Sequence, residues 1–333
     1  MKLIVNIDKI NTDIESYLWL EADKAEHSLQ FMELANRLSP LIHQLLAEER
    51  IGEELLAQLN ELYLPLAKRL ADWHKGKPIV IGINGAPGSG KSTLNKILKT
   101  LLHHGFNKSV LTLSIDDLYL SLQRRKELAR EVHPLFKLRG VPGTHDVNLA
   151  ETILSTLLEP ESQLPIRIPV FDKASDDLLP QQQWPMVVKP VEIILFEGWC
   201  VGAKPEHPDD VATAMNELEC TEDAEGVWRE YVNEQLHGPY QSLFSYIDYM
   251  IMLKVPDMES IQAWRQLQEE KLATYCTEQG ISPQKIMSTA EISRFLMLYE
   301  RTIRNLMAEM PSRADILLEL NREHQIDRIR LAP

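Results

Sequence analysis

Residues 85–92 read Gly85-Ala86-Pro87-Gly88-Ser89-Gly90-Lys91-Ser92, and Thr93 follows. A G-x-x-x-x-G-K-S spacing is what a loop needs to wrap a phosphate. Glycines let the backbone approach closely, so that successive N–H groups face phosphate oxygens. A lysine opening the next helix reaches the β- and γ-phosphates, and the helix N-terminus adds partial positive charge. The Ser92 hydroxyl is then placed for Mg²⁺. Four of the chain's 14 glycines fall between Gly82 and Gly90. An apolar, β-branched run precedes the loop and a helical pattern follows it, a context that an accidental turn would lack. ATP and Mg²⁺ are the expected ligands.

A phosphate loop binds, but transfer also requires a second carboxylate near the metal and a group that orients the nucleophile. In open parallel sheets such groups sit at the carboxyl ends of strands. Two strand ends carry acids. In Ser114-Ile115-Asp116-Asp117-Leu118-Tyr119 either aspartate could accept a proton from an acceptor hydroxyl, or could cap a turn. In Leu195-Phe196-Glu197-Gly198-Trp199, Glu197 follows an apolar run and Gly198 permits a sharp turn, which suits an acid that supports magnesium or orients water better than an edge acid on a solvent loop. The segment 139–146, from Arg139 through Thr144 to His145 and Asp146, combines site-competent side chains with turn residues that also lead ordinarily into a helix. Phe171-Asp172-Lys173 is a weaker candidate. Arg265 could cover the phosphates or be a solvated helix charge. Cys200 has no neighbouring histidine and reads as packing. His103 and His104 are adjacent, so they cannot share a helix face as a metal pair. Residues 295–310 read as a packing face.

The positioning elements follow from periodicity. Strand patterns occur at 79–83, 109–115, 191–196, 248–255 and 314–320, with helical patterns between them at 91–104, 149–158, 258–276 and 291–310. Their alternation predicts a mostly parallel α/β sheet. Residues 139–190 are Pro-rich and irregular, as functional loops often are. Residues 1–75 read as a helical N-terminal extension, and the catalytic domain as 76–333.

The chain has 333 residues, 44% hydrophobic, with a formal charge of −14. Such a charge opposes nucleic-acid and anionic-membrane partners. It is unevenly spread: residues 76–199 hold 14 basic and 13 acidic residues, whereas 200–333 hold 13 and 23. Ten of the latter acids lie between Glu206 and Glu234 and read as a solvated surface. Three cysteines without CxxC or zinc spacing suit a reducing compartment. With no signal-like start and no membrane-length apolar run, a cytoplasmic protein is expected.

Taken in order, GAPGSGKS, SIDDLYL, LRGVPGTHD, PVFDKA, LFEGWCVG and AWRQLQ resemble the glycerate kinase family of P-loop kinases, over roughly residues 76–330. The wider group contains uridine kinase, phosphoribulokinase and pantothenate kinase. This resemblance implies a P-loop NTPase fold, a three-layer α/β/α sandwich with a mostly parallel sheet. It implies that Gly85, Ala86, Pro87, Gly88, Ser89, Gly90, Lys91, Ser92 and Thr93 hold the triphosphate, with Ser92 and Glu197 at the metal. Asp116 falls where related kinases place the acid that takes the acceptor proton, with Asp117 in reserve. Tyr119, Arg139, His145, Asp146 and Lys173 would face a small-molecule acceptor, D-glycerate first, and Arg265 would be a lid arginine. The chain departs from the family pattern in two places: the plant enzymes carry an arginine-rich Gly-Arg-Gly-Asp-Arg segment where 173–179 here has no arginine, and Leu118 replaces the usual aromatic of the Asp-Asp-Phe-Tyr motif. The alternatives are a kinase of another metabolite, nucleoside- or pantothenate-like, and a P-loop ATPase switch or assembly factor with no small acceptor. No Asn-Lys-x-Asp guanine reader is present.

Overall fold

The computed structural model describes residues 24–49, 56, 58–159, 164–278 and 286–331. In chain order they form helices α1 (Lys24–Glu49), a π-helical turn (Leu59–Tyr63) and α2 (Leu64–Trp73), then strand β1 (Ile79–Gly85), α3 (Lys91–Phe106) and β2 (Val110–Ser114). Next come α4 (Leu122–Glu131), α5 (Val147–Leu158), the two-residue strands β3 (Ile166–Arg167), β4 (Phe171–Asp172), β5 (Asp177–Leu178) and β6 (Met186–Val187), and β7 (Ile193–Gly198). Four helices follow, α6 (Pro208–Ala212), α7 (Glu217–Glu222), α8 (Val227–His237) and α9 (Pro239–Phe244). The chain closes with β8 (Tyr249–Lys254), α10 (Met258–Glu278), α11 (Thr289–Glu309), β9 (Ile316–Leu320) and β10 (Ile326–Leu331).

Six strands make the main sheet, in the order β10-β9-β8-β1-β7-β2. All neighbours are parallel except β10, which pairs antiparallel with β9. Every residue of β1 and β7 is buried. Both faces are therefore covered by helices, which is why these strands read as continuous apolar runs rather than alternating ones. The result is the expected three-layer sandwich. Because β2, β7 and β1 run parallel and adjacent, the carboxyl ends carrying Asp116, Glu197 and the glycine loop lie side by side.

The first 75 residues are helical where described; residues 1–23, 50–55 and 57 lie outside the described residues. These helices are not loosely attached. Phe31, Leu38, Ile42 and Leu46 of α1 belong to the same buried core as the sheet. Gly105 on α3 lets α1 come close: a Cβ there would stand 3.3 Å from the Leu38 side chain. Trp73 stacks on Tyr249 of β8 with centroids 4.1 Å apart.

Two features depart from the sequence expectation. The C-terminal edge strand β10 carries Asp327, Arg328 and Arg330 and buries only Ile326 and Ile329. Its charges suit an exposed edge. The acidic stretch 206–234 is not simply solvated surface. Glu219 is fully buried, and Arg301 of α11 donates Nε to Oε1 at 2.8 Å and Nη2 to Oε2 at 2.6 Å. Arg301 also pairs with Glu206 at 3.4 Å, and Arg229 with buried Asp223 at 3.1 Å. Burial, only partly offset by Arg301, raises the Glu206 carboxyl. Residues 295–310 do form a packing face, with Leu296, Leu298, Ile303 and Leu306 buried.

Candidate active site

The glycine loop runs from the end of β1 into α3. Gly88 and Gly90 have φ of +83° and +92°, a region that strains residues with a Cβ. A Cβ at Gly85 would stand 2.4 Å from Ser89 Oγ. Ser89 N–H donates to the Ala86 carbonyl at 3.0 Å, which tightens the turn through Pro87. The helix cap at Gly90 offers no side-chain acceptor. The first N–H groups of α3, at Lys91, Ser92 and Thr93, are thus left for an anion. Asn84 Nδ2 donates to the Trp199 and Val201 carbonyls at 3.0 and 2.9 Å, fixing the loop's base to the segment after β7.

Glu197 ends β7 beside this loop. Ser92 Oγ donates to its Oε1 at 3.1 Å. Its Oε2 is buried and has no hydrogen-bond partner among the described residues. A buried carboxylate oxygen without a partner is costly unless something binds it. Magnesium fits this pair, since it takes few protein ligands and completes its shell with phosphates and water. Among the described residues no cluster of three His, Cys, Asp or Glu would hold a cation alone.

Asp116 lies just past β2, in register beyond Ser114, which pairs with Glu197. Tyr119 donates its hydroxyl to Asp116 Oδ1 at 2.7 Å, and Lys173 donates to Oδ2 at 3.2 Å. Burial alone would raise the Asp116 carboxyl, but Lys173, Lys91 and the Tyr119 hydroxyl overcome it and hold it below the ordinary carboxylate value. Asp117 faces differently. It accepts the Phe171 N–H at 3.1 Å, and burial raises its carboxyl. Of the two aspartates, Asp116 is held ionised by surrounding cations, while Asp117 anchors the β4–β5 hairpin.

The segment 139–146 is knit to this cluster by a bridge between Tyr119 and His145. Gly140 has φ +132°, and a Cβ there would meet Tyr299 Oη at 1.9 Å. Tyr299 donates to the Arg139 carbonyl at 3.2 Å, and Trp199 Nε1 donates to the Gly140 carbonyl at 2.9 Å. The Tyr240 hydroxyl accepts from Gly143 N–H at 2.9 Å and lies 2.5 Å from His145 Nδ1. The ring and the phenol therefore share one short hydrogen bond that fixes the imidazole against Tyr240. Burial lowers the His145 pKa to about 4 against a raising effect from Asp116, so the ring is neutral at physiological pH. Its Nε2 is buried without a partner among the described residues. Asp146 is the N-cap of α5, accepting from Leu149 N–H at 3.0 Å.

The structure therefore gathers Lys91, Ser92, Glu197, Asp116, Tyr119, Lys173, His145 and Arg139, whereas Asp117 and Asp146 are spent on local structure. Arg265 of α10 lies near the loop: a Cβ at Gly88 would stand 3.6 Å from Trp264 Cβ and 3.9 Å from the Arg265 backbone nitrogen. Its guanidinium is held by Glu269 and by Gln268 Oε1 at 3.1 Å. Cys200 is buried, and burial raises its thiol, in keeping with a packing role. Sequence reasoning missed Tyr240, Tyr299 and Trp199, whose polar tips hold the 139–145 loop. It also missed Arg125, which is fully buried. No local signal marks them, because each acts on a partner distant in sequence.

The parallel sheet, with the glycine loop leading from β1 into a helix, defines a P-loop nucleotide-binding fold, and acids stand on the neighbouring strand ends. The KAP family P-loop domain matches residues 60–207. The chloroplastic D-glycerate 3-kinase of Arabidopsis thaliana is 32% identical over 246 residues, covering 72% of this chain and 50% of that protein. A protein of Schizosaccharomyces pombe described as an uncharacterized kinase is 30% identical over 260 residues, covering 74% of this chain and 90% of its own length. The solved D-glycerate 3-kinase of Cryptococcus neoformans var. grubii shares the fold, with a TM-score of 0.65 at 20% identity over 81% of this chain and 97% of that one. The chain belongs to the same family of P-loop kinases as these relatives, and it spans half the length of the plant relative it matches.

Proposed function

We propose that this protein transfers the γ-phosphoryl group of ATP to a hydroxyl of a small metabolite, with D-glycerate the leading acceptor. The observation that carries the reading is Asp116, ionised between Lys91 and Lys173 at the strand end next to the Ser92–Glu197 pair. The likeness to the plant and fungal D-glycerate 3-kinases supports the choice of acceptor.

In this reading the loop amides and Lys91 bind the β- and γ-phosphates and neutralise charge as the phosphoryl group leaves. Ser92 and Glu197 would hold Mg²⁺, directly or through water, and the metal, when bound, would supply positive charge against the triphosphate. Asp116 receives the proton of the acceptor hydroxyl, with Tyr119 and Lys173 fixing the carboxylate's orientation. Its lowered pKa keeps it a carboxylate, ready to accept, across the neutral range. Most of the rate gain comes from positioning and electrostatics. Arg265 becomes a lid residue by exchanging Glu269 for a phosphate. No described helix is long and apolar enough to cross a membrane. A cytoplasmic setting suits the three free cysteines.

The test is a set of acceptors (D-glycerate, nucleosides, pantothenate and sugars) offered with Mg²⁺ and ATP and followed by ADP release. ADP release that requires D-glycerate supports the reading. Release that is independent of every acceptor points to an ATPase and overturns it.

A further inference from the structure

The segment 173–179 contains no arginine of its own, yet two arginines meet there from elsewhere in the fold. Arg125 of α4 is fully buried. Its Nε donates to the Leu120 carbonyl at 3.2 Å, Nη1 to the Lys137 carbonyl at 3.0 Å and Nη2 to the Asp176 carbonyl at 2.6 Å. That same Nη2 lies 3.1 Å from Asp176 Oδ2. The second arginine is Arg139, whose Nη1 donates to Asp176 Oδ1. Asp176 thus bridges two guanidinium groups from a left-handed turn position, φ +57°.

The charges do not cancel. Two guanidinium groups and one carboxylate leave one positive charge over. The two arginines are unequally available. Arg125 has spent all three nitrogens on protein oxygens. The Arg139 side chain is 31% exposed, and its Nε and Nη2 bond no described residue. An Nε–Nη2 edge is the fork that takes a carboxylate with two parallel hydrogen bonds. The cluster also adjoins the reacting centre. Both guanidinium carbons lie over the Phe171 ring, at 5.4 Å for Arg139 and 5.8 Å for Arg125. Phe171 in turn packs edge-on against Tyr119 at 5.1 Å, and Tyr119 holds Asp116. Tyr299, packed on the same loop, feels the charges of both Asp116 and Arg139.

We propose that the free edge of Arg139 grips a carboxylate of the acceptor, and that Asp176, pinned by Arg125, is the positioning residue that turns this edge toward the site. The inference rests on the kinase reading and narrows it to hydroxy acids, in which a carboxylate sits within a few bonds of the hydroxyl delivered to Asp116.

The experiment compares D-glycerate with glycerol, which keeps the hydroxyls and lacks the carboxylate, in the wild type, Arg139→Met, Arg139→Lys and Asp176→Asn. Losing a charge-assisted fork should raise the KM for D-glycerate about 10- to 100-fold in Arg139→Met. The KM for ATP should be unchanged, with partial rescue in Arg139→Lys and a smaller rise in Asp176→Asn. Discrimination between D-glycerate and glycerol should shrink in parallel. Thermal stabilisation by ATP identifies any variant that fails to fold, in which case Arg139→Lys carries the test. Turnover of D-glycerate with an unchanged KM in the Arg139 variants overturns the inference and leaves the kinase reading intact. So does a KM for ATP that rises in step with that for D-glycerate. A wild type that phosphorylates glycerol as well as D-glycerate overturns the inference too. A wild type with no acceptor-dependent ADP release overturns both.

Discussion

Replacing Asp116 by Asn changes one heavy atom and removes the proposed proton acceptor while keeping the side chain's shape. In the native chain the carboxylate accepts from Tyr119 at 2.7 Å and from Lys173 at 3.2 Å, and Lys91 adds its field. Asn can still accept from Tyr119, so the local fold should survive. What it cannot do is take a proton. Loss of a positioned general base costs about 10²- to 10⁴-fold in rate, or roughly 3 to 5 kcal/mol of barrier. ATP binding should not suffer, because Asp116 lies outside the loop and its removal leaves Lys91 and Lys173 less compensated, which favours an anion. The assay is steady-state kinetics in both substrates, with ATP affinity measured separately by thermal shift. The expected result is a kcat lower by at least 10²-fold with ATP affinity equal to or tighter than that of the wild type. The carboxyl is held below its ordinary value, so the wild-type rate should also show no acid limb from this group between about pH 5 and 8. A kcat within threefold of the wild type would refute the role given to Asp116. So would a loss of rate that tracks a loss of ATP binding.

Other consequences follow from packing and charge. Glu197→Gln removes the charge opposite Ser92, and about 10- to 100-fold more Mg²⁺ should then be needed for half-maximal rate; an unchanged magnesium titration counts against the metal assignment. Ala at position 198 would place its Cβ 2.3 Å from Ile115 Cγ2 and 2.9 Å from Val201 Cγ2. Urea denaturation of Gly198→Ala should show a loss of about 1–3 kcal/mol, and wild-type stability would mean the site frame is looser than described. Ile42→Ala empties a fully buried position on α1 and should cost about 2–5 kcal/mol in a single cooperative transition, whereas a separate early transition would make α1 an independent unit. Burial lowers both His145 and His324 to about 4, so the unfolded chain binds more protons between about pH 4 and 6.5 and stability falls as pH drops through that window. Each contributes up to about 3 kcal/mol, and a His145→Gln variant whose stability falls as steeply as the wild type's over that window contradicts the assignment.

The parts of the fold that could be read from residues alone are those set by local pattern. The glycine loop and the core strands were legible because a buried parallel strand is an uninterrupted apolar run and phosphate wrapping demands glycine at fixed places. Strand β10 was not, since Asp327, Arg328 and Arg330 break the apolar pattern and only its pairing with β9 defines it. The acidic stretch misled for a related reason. Acids read as solvated unless their cation is seen, and Arg301 lies 82 residues from Glu219. Arg125 sits in the run Arg124-Arg125-Lys126-Glu127, which looks like an exposed helix face, although its guanidinium is buried by carbonyls 5, 12 and 51 residues away. The choice between Asp116 and Asp117 was likewise closed to sequence: adjacent identical residues differ only in what surrounds them, Lys173 and Tyr119 for one, the Phe171 amide for the other.

The most direct measurement is the stoichiometry of the reaction itself: purified protein with Mg²⁺, ATP and D-glycerate, scored for ADP and for phosphorylated glycerate in the same tube. Equal amounts of the two products, both abolished in Lys91→Ala, are the predicted result. ADP formed without phosphorylated glycerate, at a rate indifferent to D-glycerate, would contradict the account.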